Sequence, residues 1–198
     1  MVEYYKKQKY EDKKNLIISV AQKFFSRFGL NKTTMSEIAK AARMGKATLY
    51  HYFGSKEHIF AEVIQKESQI LKNRLNEAIE TTNDPKEQIR TYIITRMNYL
   101  NSLTNTYSAL TDEYLEHYAC VKKFRYDFNN YEIQTLASIL RDGIDKKVFS
   151  VININDVAKV IGIALRGLEI PLLTEGKSEK FKDNINLMTD TMLYGICK

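Results

Sequence analysis

The sequence predicts an all-α protein: an N-terminal three-helix bundle with a helix-turn-helix, then a larger C-terminal helical domain, about nine helices altogether. Three observations carry this expectation. Only two prolines and eight glycines interrupt 198 residues. Apolar residues recur at helical rather than alternating spacing nearly throughout. Two short helical patterns joined by a few residues, the second closed by a glycine, stand near the N-terminus.

In chain order, the first helix places Ile17, Val20, Ala21, Phe24 and Phe28 on one face. Gly29 stops it, as a residue tolerant of left-handed backbone. TTMSEIAKAA opens with Thr34 three residues ahead of Glu37, a capping box in which each side chain answers an orphaned backbone N–H. Met35, Ile38, Ala39 and Ala42 form the apolar face of that short helix. After RMG, KATLYHYF makes a second short helix ended by Gly54, and Ser55 caps a long helix through Ile59, Val63, Ile70, Leu71, Leu75 and Ala78. In TTNDPKE, Asp84 is the N-cap, Pro85 the first helical residue and Glu87 the reciprocal partner. A short helix with Leu110, Tyr114 and Tyr118 precedes a longer one from Val121 to near Ile144. KKVFSVININD has strand-like composition but reads as a loop before a helix capped by Asn155 or Asp156, the most apolar in the chain. The last helix runs from Ser178 through Phe181, Ile185, Met188, Met192 and Ile196.

Charge is unevenly placed. The net charge is +6, yet residues 1–60 hold 12 Lys and Arg against 5 Asp and Glu, while the remainder holds 18 against 19. An excess confined to one third of the chain suits a module that meets a polyanion; a solvated lysine-rich face is the competing reading. Cys120 and Cys197 are too few for a disulfide framework, and no paired-cysteine or His-rich cluster suggests a metal. No run of apolar residues is long enough to span a bilayer, and the lysine-rich start lacks a signal peptide's apolar stretch. A cytoplasmic protein is expected, without cofactor.

The helix-turn-helix explains the mixed character of KATLYHYF. Leu49 and Phe53, at i and i+4, point to the bundle core. Lys46, Thr48, Tyr50, His51 and Tyr52 face outward, where a helix in a major groove needs hydrogen-bonding side chains. Lys56, Thr33 and Thr34 flank that helix and are positioned to hold phosphates. The competing reading packs Tyr50 and Tyr52 sideways and leaves the lysines merely solvated.

The stretch TTMSEIAKAARMGKATLYHYFGSKEHIF resembles the DNA-binding signature of the TetR family of bacterial regulators. The matching features are Thr33-Thr34, Ile38-Ala39, Thr48-Leu49-Tyr50, Tyr52-Phe53 and Ser55-Lys56. RDGIDKKVF is similar to the end of the family's seventh helix. The resemblance implies a DNA face at Thr33, Thr34, Lys46, Ala47, Thr48, Tyr50, His51, Tyr52 and Lys56. It also implies a DNA-binding domain over residues 1–56 and a ligand-binding and dimerisation domain over 57–198. Three residues depart from the family pattern: Arg43 stands where the turn usually has Gly, Gly45 replaces a Ser cap, and Ala47 replaces another Gly. If the family's usual turn is kept, Arg43 adopts positive φ and its Cβ makes that conformation costly.

For the larger domain, the resemblance implies a small-molecule pocket, for which the candidates are Tyr92, Arg96, Tyr99, Tyr114, His117, Phe128, Tyr131 and Arg166. An aromatic stripe at helical spacing equally describes plain core. Arg166 and Glu169 interrupt the most apolar helix at i, i+3; the readings, in order, are a pair with each other, bonds across the dimer and an anchor for a charged ligand. Glu113 and His117, with Asp112 and Glu116, form half a metal set and read better as a solvated face. The last two helices would form the homodimer interface, with Val160, Ala164, Leu168, Met188 and Met192 as candidates. The implied function is a homodimeric repressor that binds a palindromic operator in double-stranded DNA and is released by a small-molecule effector. A regulator without ligand and an all-α enzyme using Glu113, Glu116 and His117 are the alternatives; the second lacks any nucleophile constellation, phosphate loop or cofactor fingerprint.

Overall fold

The computed structural model describes residues 1–106, 119–175 and 179–196. These form eight helices: α1 (Val2–Lys32), α2 (Met35–Ala41), α3 (Lys46–Tyr52), α4 (Lys56–Ile79), α5 (Pro85–Thr106), α6 (Ala119–Asp145), α7 (Ile154–Glu175) and α8 (Glu179–Ile196). The fold is all-α, as expected. The short helix expected at Leu110, Tyr114 and Tyr118 lies outside the described residues.

The chain divides into two compact units, the first Met1–Glu67 with Thr104–Lys122, the second Ser68–Leu103 with Lys123–Lys198. The division between the two units falls inside α4, after Glu67. A helix that starts in one core and ends in another gives no sequence break at the boundary.

In the first unit, α1 buries Ile17, Ile18, Ala21 and Phe25, and α2, α3 and α4 add Ile38, Leu49, Ile59, Phe60 and Val63. The buried face of α1 is rotated from the expected one: Phe25 replaces Phe24, and Phe28 is exposed. The Phe60 ring explains the choice, meeting Phe25 edge-on at 5.5 Å. Gly29 leaves helical geometry with φ 77°, the break expected there, and a last turn reaches Lys32. Thr34 and Glu37 close the expected capping box, with N–H to carboxylate at 2.9 Å and N–H to hydroxyl at 3.3 Å. The Thr34 hydroxyl and N–H, both donating to it, hold the Glu37 carboxyl below its usual range.

In the second unit the core joins Leu71 and Leu75 of α4, Tyr92 and Met97 of α5, Leu136 and Leu140 of α6, Leu165 of α7 and Leu193 of α8. Asp84 caps α5 through the Lys86 N–H at 3.0 Å, but Glu87 pairs with Arg90 instead of reaching back. Asn153, not Asn155 or Asp156, caps α7, its Oδ1 accepting from the Asp156 N–H. Gly143 and Phe149, the landmarks of RDGIDKKVF, are in contact: a Cβ on Gly143 would stand 2.1 Å from the Phe149 ring.

Candidate nucleic-acid interface

The site is built on a seven-residue helix, too short to hold itself in water. Packing holds it. Leu49 is fully buried and Phe53 nearly so, both in the first unit's core. That anchors one side of α3 and leaves Lys46, Ala47, Thr48 and His51 exposed, with Tyr50 45% exposed. Lys46 places its ammonium 5.9 Å from the Tyr50 ring, one turn away. The outward surface therefore offers a cation, a hydroxyl, a phenol and an imidazole on consecutive turns, the side-chain types that read base edges and phosphates. Gly45 at the N-cap supplies no side-chain bond, and its added Cβ would meet only the Thr48 hydroxyl, at 3.7 Å.

The turn before α3 carries the anticipated strain. Arg43 adopts φ 55°. Backbone bonds from Arg43 N to Lys40 O and from Met44 N to Ala39 O enforce that turn. A left-handed residue with a Cβ costs about 1 kcal/mol, so the packing of α2 against α3 overrides the local preference.

Three expected DNA-face residues are placed differently. Thr33 is 1% exposed and donates its hydroxyl to Gly29 O at 2.8 Å, so it serves the break in α1 rather than the surface. Lys56 directs its ammonium at the carbonyls of Leu30, Asn31 and Thr33, at 2.9, 3.2 and 3.2 Å, closing the last turn of α1. Tyr52 is half-buried and stacks on Tyr10 of α1, centroids 4.7 Å apart. Thr34 remains exposed, with its hydroxyl donating to Glu37. Position and resemblance selected all four; neither carries information about which backbone carbonyls lie beside a lysine.

The comparisons with known proteins agree with this geometry. The family model for bacterial regulatory proteins, tetR family, matches residues 17–63. Over 187 residues the chain is 26% identical to the HTH-type transcriptional regulator QacR of Staphylococcus aureus, covering 93% of this chain and 98% of that protein. It is 41% identical over 69 residues to the HTH-type transcriptional regulator YhgD of Bacillus subtilis, 35% of this chain and 36% of that one. A solved transcriptional regulator from Cytophaga hutchinsonii superposes with TM-score 0.80 at 28% identity, over 93% of this chain and 98% of that chain. Residues 17–63 thus carry the DNA-binding signature of the tetR family, and over nearly its full length the chain is similar to transcriptional regulators. No described helix is long and apolar enough to cross a membrane.

Four of the eight expected pocket residues are core. Tyr92, Arg96, Tyr99 and Phe128 are all buried in the second unit. The Tyr131 hydroxyl donates to Asn76 Oδ1 at 2.6 Å, and Arg166 bonds Asn129. None of these lines the groove of about 360 Å³ beside Asn76, Gln88, Thr135 and Asp142. Tyr114 and His117, with Glu113, lie outside the described residues.

The expected Arg166–Glu169 pair is replaced. Glu169 instead lies 2.6 Å from Arg96 Nη2, and Glu132 lies 2.6 Å from Arg96 Nε. The buried guanidinium on α5 needs compensating charge, and it draws carboxylates from α6 and α7. Burial pushes the Glu132 carboxyl up, and the Arg96 charge offsets this only in part. Tyr92 donates its hydroxyl to Glu132 at 3.3 Å, and its own pKa is driven well up by the same burial. Glu132 was readable: it falls four residues after Phe128 and four before Leu136, a carboxylate on an apolar stripe.

Of the interface candidates, Val160 is 60% exposed, while Ala164 is half-buried. Leu168, Met188 and Met192 are half-buried against the second unit's core. Ile163 on α7 and Leu187 and Tyr194 on α8 are large, exposed and apolar, and went unranked in the sequence. On α8, Met188 and Met192 face partly inward because they flank the buried stripe of Ile185, Thr189 and Leu193.

Proposed function

We propose that the chain is a homodimeric repressor that binds a palindromic operator through α3 and leaves it when a small molecule binds the larger domain. The observation that carries this is the division of labour within α3. Leu49 is wholly buried, while Lys46, Thr48, Tyr50 and His51 stand outside on a seven-residue helix. Exposed Val160 and Ile163 on α7 and Leu187 and Tyr194 on α8 support self-association through these helices. Two copies would set recognition helices about one DNA turn apart, roughly 34–36 Å. Effector binding would alter that separation, coupling two sites through rigid-body movement. Residues 1–56 form the DNA-binding domain and 57–198 the ligand-binding and dimerisation domain in this scheme. Footprinting on DNA upstream of the protein's own gene, repeated with candidate effectors, tests it. A palindromic footprint lost with one compound supports every part; a monomer with no footprint rejects it.

A further inference from the structure

A helix as short as α3 takes its orientation from its surroundings. Its core anchors are Leu49, within the helix, and Phe53, at its C-cap in extended backbone. Two anchors define a single line, which resists sliding but allows the helix to roll about it. A third contact off the line is needed to fix the roll, and therefore to fix which edges of Thr48 and Tyr50 are presented.

Tyr52 supplies it, three residues from Leu49. Its ring stacks on Tyr10 at 4.7 Å with 26° between planes, and the His51 ring meets it edge-on at 5.8 Å. Tyr10 precedes the family-matched segment 17–63, on an unbroken continuation of α1 that begins at Val2. One turn later Lys14 ties the same stretch down, 2.8 Å from Glu62 Oε1 and 5.9 Å from the Phe53 ring centroid. These contacts frame a groove of about 340 Å³.

We propose that Tyr10 is a positioning residue for sequence discrimination: it sets the roll of the recognition helix by stacking on Tyr52, without itself touching a base. This rests on the DNA-reading role given to α3 above. The test compares affinities for two duplexes, one recovered by the wild-type chain from repeated selection on random sequence and one unselected duplex of equal length. Tyr10→Ala should cut the selected-over-unselected ratio about threefold to tenfold, the worth of an aromatic pair. Affinity for the unselected duplex and the salt slope should hold, because no charge changes. Tyr10→Phe keeps the stacking face and should restore the ratio to within about twofold. Tyr10→Leu keeps bulk without stacking, should fall between, and reads the effect should the alanine variant fail to fold. An unchanged ratio in Tyr10→Ala, or equal loss on both duplexes, overturns the inference while leaving DNA reading intact. Failure of the wild-type chain to select any consensus overturns the proposed function first.

Discussion

Arg96 Nε lies 2.6 Å from Glu132 Oε1, and the two side chains are 2% and 1% exposed. Arg96 Nε and Nη1 and Glu132 Oε2 make no well-aligned hydrogen bond, so the pair is strongly attracted yet incompletely satisfied. Removing one partner strands a buried charge. Arg96→Ala is expected to cost about 3–5 kcal/mol, whereas the double change Arg96→Met with Glu132→Leu should recover most of that loss. Urea unfolding of the three proteins measures it.

The same pair predicts a pH dependence. The Glu132 pKa is raised in the folded state. A raised carboxyl holds its proton better when folded, so its contribution to stability is greatest below its ordinary pKa and is lost as pH rises through the raised value. Glu132→Gln cannot titrate. The stability of the wild-type chain relative to Glu132→Gln should therefore fall as pH rises above the ordinary carboxylate range, read from unfolding curves at a series of pH values.

Lys56 and Lys46 should separate cleanly. Lys56 binds three carbonyls at the end of α1, while Lys46 is exposed at the start of α3. Lys56→Met is expected to lower stability by about 1–2 kcal/mol and leave the salt slope of DNA binding unchanged. Lys46→Met should do the reverse, removing about one phosphate's worth of slope with stability held.

Arg43, at φ 55°, gives a stabilising substitution. Arg43→Gly should raise the unfolding free energy by up to about 1 kcal/mol, the left-handed penalty less the entropy glycine adds to the unfolded chain. Thermal unfolding checks the sign.

Gly143 gives the opposite. Its missing Cβ leaves room for the Phe149 ring, which would stand 2.1 Å from it. Gly143→Ala is expected to destabilise by about 1–3 kcal/mol through overpacking, and adding Phe149→Leu should relieve part of that, a non-additivity visible in a double-mutant cycle.

Much of the fold was legible because the signals were local. The Thr34–Glu37 box, the break at Gly29 and the cap at Ser55 each concern residues within four of one another, and each formed as expected. The inward turn of Leu49 and Phe53 followed from their i, i+4 spacing. The misplacements share another origin. Phe25 over Phe24, Glu169 to Arg96 instead of Arg166, and Lys56 to three carbonyls were each decided by partners distant in sequence. Periodicity ranks faces of a helix; it does not say which neighbour arrives.

The DNA-reading role proposed for α3 is tested most directly by the affinity of Thr48→Ala and Tyr50→Ala for the selected and unselected duplexes at physiological salt. Each substitution should weaken the selected duplex about tenfold or more and leave the unselected one nearly unchanged, as loss of a base contact does. Wild-type affinity for the selected duplex in both variants would contradict a DNA-reading role for this helix.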